Sequence, residues 1–369
     1  MLIGIDASRA FINNRTGIEE YSYQVIKNLR DKLKSHQVVL YVRRSQKSKA
    51  ESQKLPENWR IKVVKWPYFW TQIGLSLELL FYSVDVLFVP AHTIPFVHPD
   101  NTVVTIHGLE YEFCPNAYSF WEKIYMRCVI KNSCQWAKTI IAVSNNTRND
   151  LMKLYEVLPE KIKVIYEGYD SNFQFSIFNF QSNSNDKSSK LKPCLLFIGR
   201  LEERKNICGI VKAFEILKEK YKIPHKLILA GNPGFGFNKI KYEIQVAKYK
   251  NDIILKGFVR DEEKYELLRN AEVFLFPSFY EGFGLPILEA QSAGTPVVTS
   301  NISSMPEIAD SSAILIDPNS PQEIAKATYE LISEEKLKND IINRGLENVK
   351  RFSWEKCGEE VSNLIMDKK

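Results

Sequence analysis

Twice along this chain, short apolar runs rich in β-branched and aromatic residues alternate with longer stretches whose apolar positions recur at helical spacing. In the first half the runs are Leu2–Asp6, Val38–Val42, Val86–Val89, Val103–Ile106 and Thr139–Val143. The clearest helical stretch there is Ile18–Lys34, with Tyr21, Val25, Leu29 and Leu33 on one face. Runs without polar alternation suit strands covered on both faces, and strands separated by helices pair in parallel. The pattern predicts a doubly wound α/β layer structure. It begins again at Cys194–Ile198 and continues through Leu227–Ala230, Ile253–Leu255, Val273–Phe276 and Pro296–Thr299. Ile207–Leu217 and Lys264–Arg269 read as helices between these strands, and another helix opens near Pro286. The stretch 181–190 contains no apolar residue and cannot bury enough surface to fold by itself, so 171–192 is expected to be a linker or long loop. A chain of 369 residues is also long for one core. Two doubly wound domains facing one another would form a cleft beyond the carboxyl ends of their strands, where such sheets bind ligands.

Composition narrows the function classes. With 44% hydrophobic and 25% charged residues, the chain is globular rather than disordered. Fifty basic against 44 acidic residues give a net charge of +6. The surplus is spread along the chain, so it suits a small anionic ligand better than a nucleic-acid partner. The six cysteines form no CxxC pair and have no histidine at zinc spacing, as expected of thiols in a reducing compartment. Leu2-Ile3-Gly4-Ile5 leaves no room for a secretory leader, and Leu75–Val89 is too short and too charged to span a bilayer. The expected location is the cytoplasm, with peripheral contact at the inner face of the membrane as a variant of it. The stretch Phe120–Trp136 mixes Phe120, Trp121, Tyr125 and Trp136 with Lys123, Arg127 and Lys131. Such a stripe is either core or a surface that rests on anionic lipid.

The segment 277–290, Pro-Ser-Phe-Tyr-Glu-Gly-Phe-Gly-Leu-Pro-Ile-Leu-Glu-Ala, follows a strand directly. Gly282 and Gly284 bare the backbone just before a helix whose first position suits Pro286, so its N–H groups and dipole can meet an anion. Glu281 and Glu289 bracket the turn; taken singly, each also fits a solvated surface carboxylate. Together they can accept hydrogen bonds from sugar hydroxyls on either side of a diphosphate.

This segment resembles the E-x7-E signature of retaining GT-B glycosyltransferases, in particular glycosyltransferase family 4, and the resemblance extends over nearly the whole chain. It implies two Rossmann-like domains: 1–170 for the acceptor, rejoined by a C-terminal helix at 352–369, and 193–351 for the nucleotide sugar. It implies that Glu281 contacts the donor sugar and Glu289 the ribose, with the backbone of Gly282, Phe283, Gly284 and Leu285 facing the sugar or diphosphate. Gly199-Arg200-Leu201-Glu202-Glu203-Arg204-Lys205-Asn206 looks like the family's Gly-Arg–x4–Lys-Asn turn, in which Arg200 and Lys205 neutralise the donor diphosphate. Without that likeness, 202–205 would pass for a surface charge run.

In the first half, Arg15-Thr16-Gly17-Ile18 resembles the family's N-terminal glycine loop, which gives Gly17 a donor-binding role; a plain helix start capped by Thr16 fits equally. His107 ends a strand, where it lines the acceptor side and serves as the second catalytic candidate, or is simply satisfied at the strand end. Family members often carry His-Asp here, and Gly108 departs from that. His92 is a further candidate. No D-x-D pair is present for a divalent ion, so no metal and no cofactor are expected. The activity implied is retaining transfer of a hexose, with mannose favoured, from a nucleotide diphosphate sugar to a hydroxyl of a glycan or lipid-linked acceptor in cell-surface polysaccharide synthesis. GDP is favoured over UDP as the carrier. The alternatives are a non-catalytic sugar-nucleotide binder and a synthase- or phosphorylase-type enzyme acting on free sugars. A dinucleotide-dependent oxidoreductase is excluded, because Leu2–Ala10 lacks G-x-G-x-x-G.

Overall fold

The computed structural model describes residues 1–13, 15–169 and 193–367. The expected linker at 171–192 lies outside the described residues. Two compact units emerge: Met1–Leu109, Ser119–Gly168 and Ser353–Lys369 in one, Glu110–Tyr118 and Tyr169–Phe352 in the other.

The first unit is built on a seven-stranded sheet of β1 (Leu2–Asp6), β2 (Gln37–Arg43), β3 (Trp59–Val64), β4 (Val86–Val89), β5 (Thr102–Ile106), β6 (Thr139–Ala142) and β7 (Ile162–Val164). Every pairing is parallel, in the order β3-β2-β1-β4-β5-β6-β7. The central strands β4 and β5 are buried throughout, the burial that their continuous apolar runs imply. The Gly17–Lys32 helix is tied to this sheet by Tyr21, whose hydroxyl lies 3.1 Å from Thr105 Oγ1 of β5, and the Trp354–Met366 helix packs on that helix in turn. These two helices approach closely because position 358 is glycine: a Cβ there would lie 2.6 Å from the Cβ of Asn28. Ser353 caps the returning helix by accepting from the Glu355 and Lys356 amides.

The second unit holds a six-stranded parallel sheet of β8 (Cys194–Ile198), β9 (Lys226–Ala230), β10 (Ile253–Gly257), β11 (Ala271–Phe276), β12 (Val297–Ser300) and β13 (Ile314–Ile316). Its order is β10-β9-β8-β11-β12-β13, over a core that includes Phe197, Phe214, Phe274 and Phe276. Both sheets thus reverse direction at their first strand, between β1 and β4 and between β8 and β11. Ligands bind at the carboxyl side of such a reversal.

One boundary departs from the sequence reading. Residues Glu110–Tyr118, read as part of the first domain, group with the second unit. The Phe113 ring stacks on Tyr280 at 4.6 Å and 11°, a contact worth about 1 kcal/mol beyond the area it buries. The helix near Pro286 also differs slightly. It runs Leu285–Ser292 with Gly284 as N-cap, so proline takes the second position, where its missing N–H is again no loss.

Candidate functional site

At the reversal of the six-stranded sheet, the turns after β8 and β11 come side by side. The first turn is fixed by a backbone contact that only glycine permits: a Cβ on Gly231 (φ +143°) would sit 1.9 Å from the Gly199 carbonyl oxygen. The turn then enters the Ile207–Glu219 helix through Asn206 in the left-handed region. Its side chain accepts from Gly209 N at 3.2 Å and donates to Pro318 O at 2.6 Å. Lys205 is therefore held on the line between two anchored residues and is buried.

The second turn is pinned by hydroxyls of β12 and the residues just beyond it. Thr299 Oγ1 donates to Phe276 O at 2.8 Å and Ser300 Oγ to Ser278 O at 2.6 Å. Ser303, itself at φ +60°, accepts from Glu281 N at 3.1 Å and donates to Glu281 O at 2.7 Å. Ser304 donates to the Glu281 and Phe283 carbonyls at 2.9 and 2.6 Å. Gly284 follows at φ +115°, a conformation that favours glycine. Ile287 N turns back to Gly284 O at 3.0 Å and Pro286 has no N–H, so this end of the helix offers a ligand the Gly284 and Leu285 amides.

Glu281 is the centre of the arrangement. Its Oε1 accepts from Lys205 Nζ at 2.5 Å and its Oε2 from Arg204 Nη1 at 3.1 Å. Arg204 also donates to Tyr280 O at 2.6 Å and to Glu202 Oε1 at 2.7 Å. Burial pushes the Glu281 carboxyl up, but Lys205 and then Arg204 outweigh it and hold the group at about 2. Burial lowers Lys205, and the Glu281 carboxylate offsets part of that. Glu289, one turn into the helix, is less enclosed and accepts from Lys264 Nζ at 2.8 Å. Arg200 is exposed and has no ion pair among the described residues.

The structure therefore joins Glu281 to Lys205, puts Gly282–Leu285 on the turn that follows, and leaves Arg200 open at the end of β8. Sequence reasoning missed Arg204, Ser303 and Ser304. Arg204 looked like part of a surface charge run, and only its partial burial and its three acceptors reveal otherwise.

Gly17 and His107 belong to the first unit. Gly17 opens its helix behind Thr16, whose amide and hydroxyl both donate to the Glu19 carboxylate, which ties off the helix start. Glu19 also takes Arg9 Nη1 at 3.2 Å. A Cβ at position 17 would meet nothing within 4 Å and its φ is ordinary, so no internal contact requires glycine there. The His107 side chain is only 8% exposed, with Nδ1 3.1 Å from Glu167 Oε1 and Nε2 2.8 Å from Pro90 O. The Tyr21 ring meets it edge-on at 4.6 Å. Both nitrogens thus have partners inside the unit, so the satisfied strand-end histidine describes its contacts. His92 packs edge-on at 5.3 Å; desolvation, then His107 and Arg9, drive it down to about 3, and it is neutral at ordinary pH.

The Phe120–Trp136 helix buries only Ile130, Ser133 and Cys134, while Phe120 and Trp121 are 65% and 76% exposed. Core packing does not account for its aromatic stripe. Gln72 ties it to a second apolar stretch by donating to Tyr125 Oη at 2.6 Å. Tyr68, Phe69, Leu80, Phe81 and Tyr82 of that stretch are all exposed. Among the described residues, no helix is long and apolar enough to cross a membrane.

Residues 15–173 match the family model described as Glycosyltransferase Family 4, and residues 179–348 match that described as Glycosyl transferases group 1. The O-antigen chain mannosyltransferase B of Escherichia coli is 30% identical over 268 residues, covering 72% of this chain and 70% of that protein. Among solved structures, sucrose-phosphate synthase from Thermosynechococcus elongatus aligns with a TM-score of 0.74 at 17% identity over 98% of each chain. Anabaena HepE in complex with UDP and glucose aligns with 0.71, also at 17% identity over 98% of each chain. These two parallel-sheet units have the GT-B architecture.

Proposed function

Because the chain belongs to glycosyltransferase family 4, we propose that this glycosyltransferase moves a mannosyl residue from GDP-mannose to a hydroxyl of a glycan or lipid-linked acceptor in polysaccharide synthesis. Transfer proceeds with retention and without a metal ion. The observation that carries the donor site is Glu281, a carboxylate kept ionised between Lys205 and Arg204 just ahead of a glycine-opened helix start. Mannose and GDP rest on likeness to the Escherichia coli O-antigen mannosyltransferase, and UDP is the next base to test.

In this site the diphosphate meets Arg200, Lys205 and the Gly284 and Leu285 amides. Fixed cations and amides stabilise the negative charge that grows as the sugar–phosphate bond breaks, the work a metal does elsewhere. The acceptor oxygen bonds to the anomeric carbon on the face the leaving group departs from. Its proton passes to the departing phosphate oxygen, and GDP leaves. Glu281 accepts from sugar hydroxyls and positions the ring; Glu289 accepts from the ribose. His107 shapes the acceptor side and Gly17 leaves room at the first unit's helix start.

Calorimetric titration with GDP, UDP and ADP in EDTA tests the donor site. Binding of GDP, weakened in Arg200→Ala and Glu289→Ala, is expected; binding of UDP alone would overturn the base, and silence from all three would overturn the site.

Peripheral membrane contact belongs to the same proposal. The aromatic surface around Tyr68, Phe81 and Trp121 carries Lys65, Lys123 and Lys131 beside it, a combination that suits anionic lipid headgroups. Sedimentation with vesicles containing phosphatidylglycerol should pull down the protein, and Phe81→Ser with Trp121→Ser should abolish it. Equal binding by that double variant would remove the surface from the proposal.

A further inference from the structure

The enclosed and half-buried charges of the donor site already balance without any ligand. Arg204 and Lys205 face Glu202 and Glu281, so two cations meet two anions. Lys264 is likewise taken, by Glu289 and by Asp261 at 3.3 Å. Only the exposed Arg200 stands unpaired among the described residues of these turns. Apart from Arg200, the cations that a nucleoside diphosphate meets on entering this site are already occupied.

The two cations on Glu281 are held very differently. Arg204 is fixed from three directions, by Tyr280 O, Glu281 and Glu202, and its own carbonyl accepts from Phe279 N at 2.9 Å. A planar guanidinium locked by several acceptors cannot follow a new anion without breaking all of them. Lys205 ends in a rotatable ammonium whose polar contact among the described residues is Glu281, above the Phe276 ring at 4.9 Å. Among the described residues, Glu202, Glu110, Cys114 and Tyr118 are the other ionisable groups around the pair.

We propose that Glu281 occupies Lys205 in the donor-free site as an internal stand-in for the donor diphosphate, and that Arg204 is the positioning residue that keeps Glu281 in place when the diphosphate takes Lys205 over. The proposal rests on the donor site described above. The phosphate and the carboxylate compete for one ammonium, so part of the donor's binding is spent on displacing Glu281. Afterwards Glu281 has an oxygen released toward the sugar while its other oxygen stays on Arg204.

Two measurements test it. In calorimetry with GDP and with UDP, Glu281→Gln frees Lys205 and should bind the diphosphate tighter than wild type by on the order of tenfold, the equivalent of one charge-assisted hydrogen bond. Affinity equal to or below that of wild type would overturn the exchange. If neither wild type nor variant binds any nucleoside diphosphate, the donor site itself falls and the exchange with it; a wild type that binds while the variant fails to tighten sinks the exchange alone. For Arg204→Gln, nucleotide release from the corresponding nucleotide sugar should slow at least tenfold while diphosphate affinity stays within about twofold. Its acid limb should move to higher pH, because Glu281 has lost a cation, and Arg204→Lys should restore part of both. Loss of diphosphate affinity in Arg204→Gln and Arg204→Lys to the degree seen in Lys205→Ala would make Arg204 a phosphate ligand and overturn its positioning role.

Discussion

At the carboxyl edge of the six-stranded sheet, charge meets charge: Glu281 lies between Lys205 and Arg204, and Arg204 reaches on to Glu202. At the same edge of the seven-stranded sheet a histidine does the joining, with His107 bridging Glu167 and the Pro90 carbonyl under the edge of Tyr21. Each edge is packed and hydrogen-bonded within its own unit. They differ in what a ligand would have to disturb. In the second unit it displaces one ion from another, whereas in the first it meets a closed network beside an open helix start at Gly17. A site of exchangeable ions suits a charged donor; one of satisfied hydrogen bonds suits a framework that stays as it is.

The comparison breaks most severely if Glu281 proves dispensable. Glu281→Ala should lower transfer about a thousandfold, the scale of losing one group that meets the developing transition state, while nucleotide still binds. Turnover near that of wild type would show the charged edge to be scaffolding. Next in size, His107→Ala should cost about 3 kcal/mol of stability by leaving buried Glu167 without its partner, read as a lower denaturant midpoint. An unchanged midpoint would mean that the first edge is not the rigid one. Acid sharpens the contrast further. Glu281 is held at about 2 against 4.5 for a free carboxyl, so its contribution to stability is complete above about pH 4.5 and is lost as pH falls toward 2. Wild type should therefore lose stability across that window more steeply than Glu281→Gln, in urea titrations at stepped pH. The smallest effect falls at Gly17. Alanine fits there without strain and should stabilise the fold by about 0.5 kcal/mol, while any loss of transfer would locate a ligand at that helix start.

Much of this was legible in the residues. Central strands such as Val86–Val89 and Cys194–Ile198 announce themselves because burial on both faces demands a continuous apolar run. The strands that escaped notice lie toward the margins. Trp59–Val64 is buried only at its two ends, and Ile162–Val164 and Ile314–Ile316 are three residues each, too short to set a period. The same contrast holds in the site. Glu281 and Glu289 stand out because glycines, a proline and a strand surround them at fixed spacing. Arg204 does not, because Glu202-Glu203-Arg204-Lys205 has the composition of any solvated surface turn. Ser303 and Ser304 act through hydroxyls on carbonyls, contacts with no pattern in one dimension. Residues Glu110–Tyr118 went to the wrong unit for a related reason, since the stacking of Phe113 on Tyr280 joins positions far apart in the chain.

The Trp354–Met366 helix, packed on Gly17–Lys32 through Gly358, has a consequence for synthesis. The unit that holds β1 lacks one of its packed helices until residues 354–366 have been made. The intervening unit, made later, has every strand it needs before that helix emerges. Order of manufacture and order of completion are thus reversed, and removing residues 354–366 would damage the unit whose first strand was made before the other unit.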